Sequence, residues 1–179
     1  MNDLSHLLKG NLEKISGLPP EQQKEILALI EEYESVKEKE TARENFLPFV
    51  KLMWPSFIHG RHHEIMAEAF EKVARGDLKR LIINMPPRHT KSEFASYLFP
   101  AWFLGKYPEK KVIQTAHTAE LSVGFGRKVR NLIQNTDFQE VFPGIELSAD
   151  SKAAGRWNTN KRGDYFAIGV GGAVTGKGA

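Results

Sequence analysis

The sequence predicts an α/β fold: a mainly parallel sheet flanked by helices and preceded by a helical appendage. In the second half of the chain, short apolar runs alternate with longer stretches of helical periodicity, a pattern typical of parallel strands joined by helices. The length of 179 residues and the 41% hydrophobic content suit one ordinary core. We therefore expect a helical segment at 1–45 and an α/β domain at 46–179.

The first segment carries the signs of an amphipathic helix. Pro20 stands at a first-turn position, and Ile26, Leu27, Ile30 and Tyr33 fall on one stripe. The stripe could pack on the following domain or dock on a partner, and the sequence leaves both open.

Two further stretches lie ahead of the first expected strand. Residues 46–60, FLPFVKLMWPSFIHG, are aromatic and interrupted by prolines, which is typical of a buried connector. Residues 61–76 predict a second helix with Ile65, Ala69 and Val73 on its inner face and Gly76 as its stop.

The remaining elements alternate in type. We expect strands at RLIIN (80–84), KKVIQTAH (110–117) and the glycine-weakened YFAIGVGGAV (165–174). Helices are expected at KSEFASYLFPAWFLGK (91–106) and TAELSVGFGRKVRNLIQN (118–135). Pro100 should kink or end the first of these helices, because proline lacks a backbone N–H.

Composition narrows the class of protein. Residues 1–78 hold 10 Lys/Arg against 14 Asp/Glu, whereas residues 79–179 hold 15 against 8. The second part is therefore the one that would face a polyanion, although solvated helix faces explain the same charges. The absence of cysteine excludes disulfides and thiolate metal sites. No apolar run approaches a membrane span of about 20 residues, and no signal peptide is evident, so we expect a soluble intracellular protein.

The stretch NMPPRHTKSE, residues 84–93, joins the first expected strand to a helix. Its Lys91-Ser92 pair resembles the end of the phosphate-loop pattern G-x-x-x-x-G-K-[ST], whose glycines would stand at Met85 and Thr90. Such a loop works because its backbone amides converge on one anion at a helix N-terminus, while the lysine reaches the outer phosphates.

The same residues have a structural interpretation. TKSE fits a capping box with Thr90 as N-cap and Glu93 at the third helical position, and the two prolines before it would then form an ordinary turn. The local pattern alone leaves both interpretations open.

Sequence outside the loop favours the phosphate-loop interpretation over the capping box. The chain contains four blocks in this order: FLPFVKLMWPSFIHGRHHEIMAEAFEKVARGDLKRLIINMPPRHTKSE, FPAWFLGKYP, SADSKAAGRWNT and YFAIGVGGAVTGKGA. Together they resemble the ATPase domain of the large terminase subunit of tailed bacteriophages. The resemblance runs from about Ala42 to Ala179 and implies a P-loop NTPase-like sheet. That family has a deviant Walker A loop that includes an arginine, so the missing glycine at Met85 fits it. Thr90 departs from the family, whose members usually carry glycine before the lysine.

Chemistry and the resemblance together give roles to the loop residues. Lys91 would neutralise the β- and γ-phosphates, and the Ser92 hydroxyl would bind Mg²⁺. Arg88 would neutralise charge that grows on the γ-phosphate, which makes Arg88 and Lys91 the candidate catalytic residues. The expected nucleotide contacts are Pro87, Arg88, His89, Thr90, Lys91 and Ser92.

Two further nucleotide roles come from the resemblance. His63 occupies the place of the family's adenine-recognition motif, although a plain packed or exposed histidine fits the sequence too. Lys177 stands where many relatives have an arginine that reaches a neighbouring subunit's ATP. His62 and His63 do not predict a zinc site, because adjacent helical residues diverge and no third ligand is evident.

A candidate DNA surface follows the second strand. Its polar carboxyl end, QTAHT (114–118), lies where open α/β sheets bind ligands. On the next helix, Arg127, Lys128 and Arg130 would contact DNA phosphates without reading bases, and Lys152, Arg156, Lys161 and Arg162 would add to them. The alternative is again solvated surface charge.

The catalytic carboxylates of an ATPase are not evident after Lys91, since no apolar strand there ends in acidic residues. The resemblance places that Walker B strand just beyond Ala179, with a nuclease domain after it. We therefore expect the front part of a motor protein, which binds nucleotide but turns over no ATP by itself.

The expected function is the ATP-binding part of a viral motor that drives double-stranded DNA into a procapsid. The resemblance implies ATP and Mg²⁺ as cofactors, and the portal protein, the small terminase subunit and further copies in a ring on the portal as partners. It implies a location in the host cytoplasm at the procapsid and no membrane. The alternatives are a helicase-like ATPase fragment and a non-catalytic module that docks on the portal or small subunit.

Overall fold

The computed structural model describes residues 15–172, without the side chains of residues 150–152. The described part is an α/β structure in which helices flank a four-stranded mixed sheet, which confirms the predicted α/β class. The chain divides into two compact units, Met1–Glu38 and Lys39–Ala179, and all of the candidate site discussed below belongs to the second.

Helix α1 spans Pro20–Glu44 and so crosses from the first unit into the second. Its start agrees with the prediction, because proline at the first turn needs no N–H partner. In the second unit, Ala42 is fully buried and its carbonyl accepts a hydrogen bond of 3.0 Å from the Trp102 indole. Whether the apolar stripe of α1 docks on a partner stays a prediction.

Helix α2, Phe46–Met53, replaces the irregular connector that the prolines suggested. Pro48 is tolerated because it sits in the first turn, where its missing N–H would have had no helical partner. The helix buries Phe46 and Phe49, and the Phe46 ring contacts four other aromatic rings with centroids 5.5–5.6 Å away. The stretch is therefore part of the core, as expected, but in helical form.

Helix α3, Arg61–Arg75, was predicted correctly in extent but not in orientation. Its buried side chains are His63, Met66, Ala67 and Phe70, whereas Ile65 from the expected inner face is 59% exposed. The predicted face was wrong because the buried side of the helix includes His63 and Phe70, which pack against the Phe94 and Phe46 rings, while Ile65 points to solvent. Gly76 ends the helix with a left-handed φ of 84°.

The expected strand at residues 80–84 is wrong. The segment pairs with no strand in residues 15–172, and no backbone group from 79 to 87 makes a backbone–backbone hydrogen bond there. Ile82 is 85% exposed, whereas Leu81 and Ile83 are partly buried. Apolar residues alone do not make a strand, because the strand's hydrogen bonds require a neighbour.

A continuous helix follows from Lys91 to Lys106, with a π-helical segment at Glu93–Leu98 and α4 at Phe99–Lys106. The Phe99 N–H donates to the Phe94 carbonyl, five residues earlier. This widened turn comes immediately before Pro100, which has no N–H for the usual bond four residues back. The proline therefore changes the local helix type rather than ending the helix.

Four strands and two helices complete the described fold. In chain order they are β1 (Lys111–Ala116), α5 (Ala119–Ile133), α6 (Thr136–Val141), β2 (Leu147–Ala153), β3 (Arg156–Thr159) and β4 (Asp164–Gly169). The strand order is β1-β4-β3-β2. Among the described strands, only β1 and β4 pair in parallel, with Lys111 opposite Asp164 and Ala116 opposite Gly169.

The mainly parallel sheet is therefore a wrong prediction. Strands β2 and β3 were not foreseen, and the β2–β3 and β3–β4 pairs are both antiparallel. The short turn at Ala154-Gly155 joins β2 to β3 as a hairpin, which is possible only between antiparallel strands. The small and polar residues of β2 hid this hairpin from a reading based on apolar runs.

Candidate phosphate-binding site

The loop at residues 84–92 has an unusual backbone. Arg88 has φ 64° and Thr90 has φ 60°, while His89 between them is not left-handed and Ser92 is right-handed helical. Turns that combine left- and right-handed residues can direct successive amides toward one anion. A left-handed conformation costs of order 1–3 kcal/mol for a residue other than glycine, and a β-branched threonine is an outlier there.

The amide donors of this loop are free to bind a ligand. In residues 15–172, the N–H groups from Arg88 to Glu93 form no well-aligned hydrogen bond, apart from a weak turn contact at Pro87-Arg88. The first helical bond runs from the Phe94 N–H to the Thr90 carbonyl at 3.0 Å. The helix N-terminus therefore adds its unpaired amides and its positive dipole end to the same place.

The side chains of residues 85–93 line an open cleft of about 450 Å³. Lys91 is partly exposed, Arg88 is exposed, and neither forms an ion pair within the described chain. The His89 ring braces the turn, because its Nδ1–H donates to the Pro87 carbonyl at 2.9 Å. The cations predicted for phosphate binding thus lie together at the mouth of the loop.

The Ser92 hydroxyl could bind Mg²⁺ only together with oxygen atoms from a phosphate ligand and water. The Ser92 hydroxyl is exposed and makes no hydrogen bond to another described residue. Within residues 15–172 no group of three or more His, Cys, Asp or Glu side chains could hold a metal ion. One hydroxyl fits the way Mg²⁺ binds beside nucleotide phosphates, where water and phosphate oxygens supply most ligands.

His63 connects helix α3 to this loop. Its ring is 3% exposed, its Nδ1 accepts from the Gly60 N–H at 3.0 Å, and its Nε2 lies 2.8 Å from the Thr90 hydroxyl. Both ring nitrogens therefore have partners inside the protein. Burial, followed by the nearby His62 and His59 rings, lowers the pKa of His63, so the ring is neutral at pH 7.

The capping-box interpretation does not fit these contacts. The Thr90 hydroxyl contacts His63 and donates to the His89 carbonyl at 2.6 Å, so it does not cap the helix. The Glu93 carboxylate binds Lys128 at 2.8 Å rather than turning back to the loop. An N-cap residue has extended backbone angles, and Thr90 is left-handed instead.

Helix α5 carries the predicted DNA contacts beside the loop. Lys128 is held by Glu93 and lies 5.5 Å from the Tyr97 ring centroid and 5.8 Å from that of Phe125. Arg127 is exposed, and Arg130 reaches Asn131 at 3.1 Å. The three basic residues thus differ in their surroundings, and Lys128 is the one already engaged by the loop's helix.

The carboxyl end of β1 meets the same region. Thr118 caps α5 by accepting the Leu121 N–H at 3.2 Å. A cleft of about 430 Å³ lies between Thr118, Leu121 and Phe125 on one side and Glu93 and Lys128 on the other. The polar strand end and the helix that follows the loop at 84–92, which the sequence predicted separately, are therefore neighbours.

The other predicted residues lie apart from the loop or outside the described range. Lys161 and Arg162 are exposed beside Glu109 around a separate cleft of about 540 Å³, and Arg156 is exposed on β3. The Lys152 side chain and Lys177 lie outside what the structure describes. No helix among residues 15–172 is both long and apolar enough to cross a membrane.

Sequence reasoning missed two features of the site: the handedness of Arg88 and Thr90, and the Glu93–Lys128 pair. The packing of His63 against Phe57 and Phe94 agrees with the packed-histidine alternative. Thr90 in a glycine position was the one signal available in advance. Comparison of the chain with protein-family models, with curated proteins and with solved structures finds no match.

Proposed function

We propose that this chain is the nucleotide-binding part of a DNA-packaging ATPase of the large-terminase type, with the loop at 84–92 as its phosphate site. One observation carries the proposal. The loop has two left-handed residues, Arg88 and Thr90, and few partners for its amides in the described chain, and it lies directly ahead of a helix that begins with Lys91 and Ser92. A nucleoside triphosphate carries the charge that such a cradle binds.

The proposal gives a role to each residue of the loop. The amides of residues 88–93 would hold phosphate oxygens, Lys91 would contact the outer phosphates, and Ser92 would supply one oxygen to the accompanying Mg²⁺. Arg88 is exposed at the turn and would contact the terminal phosphate. The activity proposed for residues 1–179 is nucleotide binding.

Double-stranded DNA is the proposed second ligand, with α5 as its surface. Arg127 and Arg130, three residues apart, share a face of that helix. These cations would contact phosphates of any sequence, as a translocating motor requires. The portal protein, the small terminase subunit and a ring of copies on the procapsid are proposed on the resemblance alone.

The test is calorimetric titration of the chain with Mg-ATP. Lys91→Ala should weaken binding by about tenfold or more, because a charge-assisted hydrogen bond contributes about 1.5–3 kcal/mol. Lys51→Ala removes an exposed lysine of α2 and should leave the affinity unchanged. Equal affinities in wild type and Lys91→Ala would contradict the loop assignment. No binding by the wild-type chain would favour the non-catalytic docking module.

A further inference from the structure

Thr90 is held in a conformation that its own chemistry disfavours. Its φ of 60° brings the β-branched side chain close to the backbone, where glycine would have no Cβ at all. Such a residue persists only where its surroundings hold it. The contacts of Thr90 should therefore identify what holds it.

Those contacts form a chain of hydrogen bonds with a fixed direction. The Gly60 amide can only donate, so the Nδ1 of His63 is the acceptor and the proton lies on Nε2. The Nε2–H then donates to the Thr90 hydroxyl at 2.8 Å, and that hydroxyl donates to the His89 carbonyl at 2.6 Å. Each hydrogen bond in this series has a single possible donor, and together the bonds fix the orientation of the Thr90 side chain.

Two aromatic rings pack against the histidine. Phe57 lies edge-on to its ring at 4.6 Å, and Phe94 stacks on it at 5.0 Å. Phe94 belongs to the helix that follows the loop, and Phe57 precedes α3. The ring is therefore clamped between elements on both sides of the loop that it contacts.

We propose that His63 is a positioning residue that holds Thr90 left-handed, so that a side-chain tether gives this loop the shape that glycine would adopt unaided. The tether replaces the adenine contact as the role of His63. It needs a neutral ring, which the burial of His63 favours. The consequence for ligand binding rests on the proposed nucleotide function, whereas the tether itself does not.

A double-mutant cycle tests the proposal. His63→Ala should weaken the affinity for Mg-ATP by about tenfold, because the strain of Thr90 would have to be overcome on binding. In the Thr90→Gly background the same histidine change should alter affinity by less than about twofold, since glycine needs no tether. Equal losses in both backgrounds would overturn the proposal.

Two further variants separate tethering from packing. His63→Gln keeps an N–H donor near the position of Nε2 and should retain most of the affinity, whereas His63→Phe keeps a ring against Phe57 and Phe94 and should lose it. The reverse order would make His63 a packing residue only. His63→Phe also replaces His63→Ala in the cycle if the alanine variant does not fold.

A readout without nucleotide keeps the two proposals distinguishable. Nitrogen chemical shifts of the imidazole should show a protonated Nε2 and a bare Nδ1 in the wild type, and the thermal unfolding cycle should show the same non-additivity as binding. If no variant binds Mg-ATP but this coupling is present, the tether stands and the nucleotide function fails. A protonated Nδ1, or additive unfolding effects, would overturn the tether.

Discussion

Two glycines of α5 lie two residues apart and face opposite surroundings, which makes them a matched pair for a stability test. A Cβ added at Gly126 would lie 2.6 Å from the Ala154 carbonyl oxygen and 3.0 Å from the Tyr165 ring, whereas at Gly124 it would meet nothing within 4 Å. The carbonyl of Gly126 also accepts the Trp157 indole N–H at 3.2 Å. Helix α5 can therefore approach the sheet this closely only with glycine at 126.

The expected effects have opposite signs. Gly124→Ala should stabilise the protein by about 0.5–1 kcal/mol, because alanine has the higher helix propensity. Gly126→Ala has the same propensity gain but must push the helix from the sheet, and overpacking costs about 1–3 kcal/mol. The difference between the two variants isolates that steric cost, about 2 kcal/mol, or about 4–8 °C in Tm for a chain of this size.

The assay is thermal and urea unfolding followed by circular dichroism and tryptophan fluorescence. Gly124→Ala should unfold at a higher temperature than wild type and Gly126→Ala at a lower one. If the free energies of unfolding of the two variants agreed within about 0.5 kcal/mol, α5 would not pack on the hairpin turn as described. The positions of the basic residues on α5 would then have to be reassigned.

Three other outcomes are expected. Binding to duplex DNA should be independent of sequence and fall steeply with salt, and replacing Arg127 and Arg130 by alanine should reduce the salt slope by about 2, while Lys24→Ala leaves it unchanged; a preference for one sequence at high salt would contradict this. The lowered pKa of His63 should add stability that is complete above pH 6.5 and lost as pH falls through the folded-state pKa; urea titrations of wild type and His63→Gln that have the same pH dependence would refute it. The exposed, unpaired segment around Ile82 should make the chain self-associate, and Ile82→Lys should reduce the light scattering at high concentration; equal scattering by both would place the association elsewhere.

Local patterns were sufficient for several elements. The helices Pro20–Glu44, Arg61–Arg75 and Ala119–Ile133 begin and end near residues whose chemistry caps or stops a helix, such as Thr118 and Gly76. Strands β1 and β4 are short stretches rich in β-branched or aromatic residues. In each case the information lies within the element, so the sequence alone was enough.

The failures have the opposite origin. The segment 80–84 has a strand's composition but no neighbour in the described chain, and the β2–β3 hairpin has neighbours but little apolar character. In both segments the presence or absence of a neighbouring strand, rather than the apolar content, determined whether a strand formed. The direction of the sheet could not be predicted either, because a hairpin with a two-residue turn looks locally like any other short loop.

In the candidate site, too, local sequence predicted some features, whereas others depend on contacts between distant residues. Lys91 and Ser92 located the loop, but its shape depends on residues distant in sequence: His63 binds Thr90 from α3, and Lys128 binds Glu93 from α5. The Glu93–Lys128 pair is partly exposed and contributes little stability by itself, so its effect is on orientation. A loop with glycines would carry its conformational freedom in its own sequence. Here the backbone shape is a tertiary property, which is why the strain at Thr90 is visible only once the fold is known.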